Sequence, residues 1–277
     1  MTLVFMQSHS LKNILRMGFS ILGTFIPYYG LCILIGLVCA SLLGYFLCKK
    51  SGLDLNNFIL IAAYLFAFGF AGAKIFYILV SFKKIDFSQV FKSMENFNLF
   101  FSSGFVFYGG LLGGILGLLF IKKVHKINLY PYVQILAPCL SLAHAFGRIG
   151  CSLAGCCHGK ETDFFLFFKY KESLAAPNGV KLFPVQGFES AFLFLLTIFL
   201  VFLLLKKSKI NTALVYILTY SAVRFVLEFF RGDEERGKIL FLSTSQFVSL
   251  ALIIFVVSFW IFSRKSKKIS ENEFSPS

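Results

Sequence analysis

The chain has 277 residues, of which 57% are hydrophobic, 18% aromatic and 14% charged, and its 27 Lys and Arg against 13 Asp and Glu give a formal net charge of +14. That composition, with a mean hydropathy of +0.79, excludes an ordinary water-soluble domain and points to repeated passage through a bilayer. The charge does not imply nucleic acid, because the lysines lie between hydrophobic segments rather than along one polar face interleaved with aromatics.

In chain order, residues 1–26 read as an amphipathic arm lying on the membrane surface, with Lys12, Asn13 and Arg16 among apolar residues and no small-residue cleavage site before the apolar run continues. Residues 29–47 carry no charge over 19 positions. At about 1.5 Å per helical residue that suffices for a hydrocarbon core of about 30 Å. Apolar runs between charged breaks predict spans near 28–48, 58–82, 104–121, 130–147, 184–205, 211–230 and 241–263. The expected fold is therefore all-α, a polytopic membrane protein with about seven transmembrane helices behind an N-terminal interfacial arm. Residues 27–263 form the transmembrane domain, 148–183 an external segment within it, and 264–277 a short polar cytoplasmic tail.

One set of alternate connections holds Lys49 and Lys50, then Lys122, Lys123 and Lys126, then Lys206, Lys207 and Lys209, then Arg264, Lys265, Lys267 and Lys268. The positive-inside bias places this set in the cytoplasm, with the N-terminus outside and the C-terminus inside. The 38 phenylalanines read as lipid-facing or packing residues, and no cofactor is expected from them. Cys32, Cys39, Cys48 and Cys139 fall in or beside apolar spans, where a thiol acts as a small hydrophobe.

The span 130–147 ends on Gly147-Arg148-Ile149-Gly150. An arginine at the edge of hydrocarbon is expensive unless an anion or polar partner meets it. Glycines on either side allow close backbone approach, and a planar guanidinium suits phosphate, so the segment reads as a lipid-phosphate site. On the sixth span Tyr220, Arg224 and Glu228 follow one another at single helical turns and Arg231 returns near the same face, so the group projects into the bundle as one stripe. A purely structural Arg224–Glu228 ion pair is the alternative. Lys74 lies inside the second span, where it either contacts substrate or pairs with Glu189 or Glu228. Gln186 and Glu189 open the fifth span and either bind a headgroup, order Arg148 or cap the helix.

Several segments, in order, resemble the signatures of the bacterial prolipoprotein diacylglyceryl transferase family. They are Tyr28-Tyr29-Gly30-Leu31, Ala71-Gly72-Ala73-Lys74 with Tyr77, Gly109-Gly110-Leu111-Leu112-Gly113, Gly147-Arg148-Ile149-Gly150 followed by Gly155 and Gly159, Pro184-x-Gln186-x-x-Glu189, and Tyr220 through Arg231. The resemblance runs from about Tyr28 to about Trp260. It implies a multi-pass enzyme of the bacterial inner membrane that moves the diacylglyceryl group of phosphatidylglycerol onto the lipobox cysteine thiol of a prolipoprotein signal peptide and releases glycerol phosphate. Its partners would be phosphatidylglycerol, the prolipoprotein and membrane lipids, with no nucleic acid. The resemblance makes Arg148, Arg224, Tyr108 and Glu228 the catalytic candidates. Tyr29, Lys74, Gly110, His144, Gly147, Gly150, Cys151, Gly155, Gln186, Glu189, Tyr220 and Arg231 are the substrate-binding candidates.

Certain positions depart from the family's pattern. Tyr108 stands where the family has histidine, Cys151 where it has asparagine, Cys156 where it has glutamate and Lys74 where it has arginine, and Phe183 and Phe188 replace more polar residues. A phenol, with an ordinary pKa of about 10, is a poor thiol base unless a cation lowers it. His144 and His158 are possible stand-ins. The cysteine cluster 151, 156 and 157 reads by default as packed free thiols, with a disulfide from Cys151 to Cys156 or Cys157 as an alternative. No metal is expected, because structural zinc sites use C-x2–4-C pairs and adjacent cysteines rarely both reach one ion. Two rival functions remain: a non-catalytic relative binding anionic phospholipid or lipoprotein precursor, and a membrane thiol or zinc protein using the cysteines.

Overall fold

The computed structural model describes residues 18–21, 24–102, 104–171, 173, 175–233, 238–239 and 242–273. Most of the expected interfacial arm, 1–17 with 22–23, lies outside the described residues, as does the end of the tail from 274. Strands β1 (Gly18–Ile21) and β2 (Thr24–Pro27) pair antiparallel and lead directly into the first helix. The long helices are α1 (Tyr28–Ser51), α2 (Leu55–Ser81), α5 (Phe107–Val124), α6 (Tyr130–Ala154), α7 (Val185–Leu205), α8 (Thr212–Leu227, extended by a 3-10 turn to Phe230) and α9 (Thr244–Glu273). Short helices α3 (Phe87–Val90) and α4 (Met94–Ser102) fill the connection after α2, and β3 (Lys238–Ile239) pairs with β4 (Leu242–Ser243) before α9.

Among the described residues six of these helices are long and apolar enough to cross a membrane, and the remaining expected span is the 18-residue α5. Their outward faces carry Leu34, Leu42, Phe66, Leu79, Leu195 and Ile198, all well exposed. In water such surfaces would aggregate, whereas lipid tails solvate them. The chain is a multi-pass membrane protein.

The helix holding Arg148 differs from the expectation. The apolar run ends at 147, but α6 continues through Arg148 to Ala154, so the arginine sits inside a helix rather than at its break. Ser152 Oγ returns a hydrogen bond of 3.0 Å to the Arg148 carbonyl. Hydropathy stops at the first charge, whereas backbone bonding stops only at Gly155, whose φ of +72° suits a residue without a β-carbon.

The chain divides into two compact units, residues 1–44 with 134–277, and residues 45–133. In the first, Ala137, Leu196 and Leu200 form a buried core with Phe192, Ala213 and Tyr216. A β-carbon on Gly36 would sit 2.7 Å from that of Phe146, so α1 approaches α6 closely there. The start of α8 is tied to α6 by Thr212, whose N–H and hydroxyl donate to Gln134 Oε1 at 2.7 and 2.8 Å. Asn211 caps the same helix by accepting from the Leu214 N–H.

In the second unit α2 and α5 cross on glycine. A β-carbon on Gly72 would clash with the Gly109 carbonyl and lie 2.9 Å from the Gly113 Cα, so the two backbones touch. The Val106 N–H extends this contact by donating to the Ala73 carbonyl at 3.2 Å.

Candidate active site

Glu189 is the centre of the first unit's polar network. It lies one turn into α7, its side chain is fully buried, and Pro184 occupies the N-cap without a side-chain capping bond. The capping role weighed for Gln186 and Glu189 is therefore absent. Glu189 Oε1 meets Arg148 Nη2 of α6 at 3.0 Å and accepts from the Tyr220 hydroxyl of α8 at 2.8 Å, while Oε2 faces Arg224 Nη1 at 3.9 Å. One carboxylate thus draws together two guanidinium groups from two helices. An unpaired charge at this depth is strongly unfavourable, so the pairing fixes both side chains.

Arg224 also meets Glu228 at 2.7 Å, one helical turn on, and its Nη2 donates to Ser245 Oγ of α9 at 3.3 Å. The structural ion pair offered as the alternative is thus present, but it engages the other nitrogen. Arg231 follows the 3-10 turn and forms a bidentate pair with Asp233 at 2.9 and 2.7 Å, with Glu228 at 3.9 Å from its Nε. Arg148, Arg224 and Arg231 therefore alternate with Glu189, Glu228 and Asp233.

Donors are left over. Among the described residues Arg148 Nε, Arg224 Nη1 and Arg231 Nη1 are buried without a hydrogen-bond acceptor, and Glu189 Oε2 and Glu228 Oε2 without a donor. Buried polar atoms are nearly always satisfied, so three unsatisfied donors on neighbouring guanidiniums mark a place suited to an anion.

His144, one turn before Arg148, packs edge-on to Tyr220 with ring centroids 4.8 Å apart, and its Nδ1 lies 3.3 Å from the Tyr216 hydroxyl. The glycines divide by role. Gly150 lets α6 approach Tyr29 and Cys32 of α1, Gly155 ends the helix against Ser173, and an added β-carbon at Gly147 would meet open space. Gln186 Nε2 donates to the Cys156 carbonyl at 2.8 Å.

Past Gly155 the chain crosses two neighbours. Lys160 donates to Phe230 and Gly232 to His158, at 2.9 and 3.0 Å, while Phe183 donates to Lys160 at 2.8 Å. These bonds hold the 155–160 turn against Arg231. His158 is buried with Nδ1 3.0 Å from the Gly159 carbonyl. Burial pushes Tyr170 up to about 12, and its hydroxyl donates to the Ser152 carbonyl at 2.9 Å.

Cys151, Cys156 and Cys157 are free thiols, and their three sulfur atoms lie within 4.8 Å of one another. The adjacent Cys156 and Cys157 both turn toward Cys151, because Cys157 adopts φ +60° and the left-handed turn swings its side chain back. Hydrogen bonds from Cys151 and Cys156, with Arg231 and Arg148 nearby, push the Cys157 thiol well below its usual range, whereas hydrogen bonds with Cys151 and Cys157, together with burial, push Cys156 up.

Tyr108, Gly110 and Lys74 belong to the second unit. Gly110 faces the Gly69 carbonyl across the α2–α5 crossing. Tyr108, half-buried, begins α5. Lys74 is buried, donates to the Phe100 carbonyl and holds its ammonium 3.9 Å over the Phe100 ring, with Tyr77 and Phe105 at 5.1 and 5.3 Å. Its expected carboxylate partners, Glu189 and Glu228, fall in the other unit.

Three residues of the network escaped the sequence reading. Tyr216 precedes Tyr220 by one turn, so the helical stripe could have been extended to it. Asp233 stands two residues from Arg231, within reach of its fork. Ser245 on α9 gave no signal, since one serine at a helix start is commonplace.

Fold and site together define a multi-pass membrane protein with an internal guanidinium–carboxylate network. The family described as prolipoprotein diacylglyceryl transferase matches residues 16–262. A phosphatidylglycerol–prolipoprotein diacylglyceryl transferase 2 of Clostridium perfringens (strain 13 / Type A) is 39% identical over 239 residues, covering 84% of this chain and 90% of the relative. The transferase of Clostridium tetani (strain Massachusetts / E88) is 35% identical over 238 residues, covering 85% and 92%. That of Dehalococcoides mccartyi (strain ATCC BAA-2266 / KCTC 15142 / 195) is 28% identical over 265 residues, covering 94% and 98%. The chain belongs to the prolipoprotein diacylglyceryl transferase family.

Proposed function

We propose that this protein transfers the diacylglyceryl group of phosphatidylglycerol to the lipobox cysteine of prolipoproteins, the first step of bacterial lipoprotein maturation. The observation that carries the reading is the pair of unsatisfied guanidinium donors on Arg148 and Arg224 beside Glu189, with a third on Arg231 beyond Glu228. The acceptor sulfur attacks the glycerol carbon bonded to phosphate. A C–S bond forms as the C–O bond breaks, and the electron pair leaves on the oxygen of glycerol phosphate.

A bound phosphodiester carries one negative charge, and the departing phosphate gains a second as the bond breaks. Donors fixed before the reaction interact more strongly with that developing charge than with the ground state, which lowers the barrier. Arg148 and Arg224 are the groups that stabilise the leaving phosphate. Glu189 and Tyr220 hold those guanidiniums in register, while Glu228 and Asp233 orient Arg224 and Arg231. Tyr29, His144, Gly147, Gly150 and Gln186 shape the surroundings of the headgroup.

The enzyme sits in the bacterial inner membrane with its N-terminus outside and its C-terminus in the cytoplasm, by the lysine-rich alternate connections. Purified protein in phospholipid nanodiscs, given labelled phosphatidylglycerol and a lipobox peptide, should form a thioether-linked product. Arg148→Ala should lower the rate by about 10²–10³-fold, the scale of losing a fixed transition-state donor. A folded protein that forms no thioether would refute the reading.

A further inference from the structure

Thioether formation needs a thiolate at neutral pH, and this chain carries a phenol, Tyr108, where the family resemblance places an imidazole. Cys151 and Cys156 occupy two further positions that depart from the family's pattern, and the structure places both beside Cys157. Cys151 lies in the last turns of α6, and Cys156 and Cys157 lie on the bend after Gly155. A residue with a β-carbon is strained in the left-handed region that Cys157 adopts. Such strain persists where something depends on the geometry it creates. Here it turns the third sulfur toward the other two, all within 4.8 Å. Sulfur atoms around a tetrahedral zinc ion, at bonds of about 2.3 Å, stand roughly 3.8 Å apart, so a closure of at most about 1 Å makes the three ligands to one ion.

We propose that Cys151, Cys156 and Cys157 bind a single zinc ion whose fourth position receives the sulfur of the acceptor cysteine, so that the acceptor reacts as a metal-bound thiolate. This rests on the transfer reaction proposed above. Three soft thiolates select a borderline-soft ion without redox chemistry, and three protein ligands with one open position is the pattern of a catalytic rather than a structural zinc site. The surroundings suit the charge. Three thiolates and Zn2+ sum to −1, and a fourth thiolate makes −2. Arg231 and Arg148 both lie within electrostatic reach of Cys157, and Arg148 also of Cys151. The Gln186 amide fixes the Cys156 carbonyl from behind, as an outer shell fixes ligands elsewhere. Arg148 therefore borders both the sulfur cluster and the Glu189 network, which places nucleophile and leaving group on either side of one guanidinium.

In this reaction the acceptor thiol gives its proton to solvent as its sulfur joins the ion. That sulfur then attacks the glycerol carbon, the C–O pair departs with glycerol phosphate, and the neutral thioether, a weaker ligand than thiolate, is released. No oxidant or further reactant is required.

Full-length protein purified in detergent without chelator should retain about one zinc per chain. Replacement by Co2+ should produce thiolate-to-cobalt charge transfer with tetrahedral ligand-field bands. A lipobox peptide should shift those bands, and the same peptide with serine for cysteine should not. The variant Cys151→Ser/Cys156→Ser/Cys157→Ser should lose the metal and the bands. Because the cobalt spectrum is read on the unaltered protein, misfolding of that variant would leave the test intact. Chelation should lower single-turnover transfer by about 10²-fold or more, restored by zinc. Retained transfer in protein that binds neither zinc nor cobalt overturns the metal while leaving the transferase reading intact. Metal binding without a peptide-dependent shift overturns acceptor activation. A peptide-dependent shift with no thioether product upholds the metal site and refutes the transferase reading.

Discussion

Each unit buries a cation inside a membrane-spanning helix, and the two handle it differently. In the first, Arg148, Arg224 and Arg231 alternate with Glu189, Glu228 and Asp233, so formal charge is balanced within the network. In the second, Lys74 lies over the Phe100 ring and donates to a backbone carbonyl beside three further aromatic rings. A ring face and a carbonyl stabilise an ammonium without fixing its direction, and a compact point charge tolerates that. A carboxylate fixes a planar fork. The difference teaches that the first region is built for orientation and the second for accommodation.

The sharpest way to break the contrast is to remove its central anion. Glu189→Ala leaves Arg148 and Arg224 facing each other across a fully buried space, and breaking a buried pair in this way costs about 3–5 kcal/mol. Thermal unfolding in detergent should show the loss, and Glu189→Gln, which keeps the shape and one acceptor, should show less. Equal effects of the two variants would mean that packing rather than charge fixes the arginines.

The second unit should be most sensitive at its backbone contact instead. Gly72→Ala drives a β-carbon into the Gly109 carbonyl and toward the Gly113 Cα, which overpacking data place at about 1–3 kcal/mol. Its melting temperature should fall, while Gly147→Ala, whose β-carbon meets nothing within 4 Å among the described residues, should leave stability within about 0.5 kcal/mol. Reduced transfer by that stable variant would show that Gly147 faces substrate.

Lys74→Met tests accommodation directly. It keeps the length of the stem and removes the charge, so the loss should be about 0.5–2 kcal/mol, the range for a cation over an aromatic face. A loss of several kcal/mol would mean that Lys74 is held as tightly as the arginines are.

What the sequence disclosed follows the same division. Hydropathy found each long helix because lipid exposure is written residue by residue, as at Leu34 or Leu195. It misplaced the end of α6, because Arg148 is neutralised by a glutamate 41 positions later and no local window contains that partner. The stripe of Tyr220, Arg224 and Glu228 was legible, since one helix supplies the spacing. Its junction with Glu189 was not, because it depends on how α6, α7 and α8 pack. The convergence of the three cysteines was hidden for a different reason. It depends on a positive φ at Cys157, a conformation that composition does not advertise in a residue other than glycine.

The smallest expected effect separates positioning from stability. Ser245 touches the network through one hydrogen bond from Arg224 Nη2, long at 3.3 Å, and Glu228 already meets the same nitrogen at 2.7 Å. Interhelical hydrogen bonds within membranes average about 0.6 kcal/mol, so Ser245→Ala should barely move the melting temperature. The bond nevertheless ties Arg224 to α9, which contributes no charge to the network. If that tether sets the direction in which Nη1 points, its loss should lower kcat more than it raises KM for phosphatidylglycerol, because a loosened donor is felt most where charge develops. Unchanged kcat with altered KM would place Ser245 on the ground-state lipid instead.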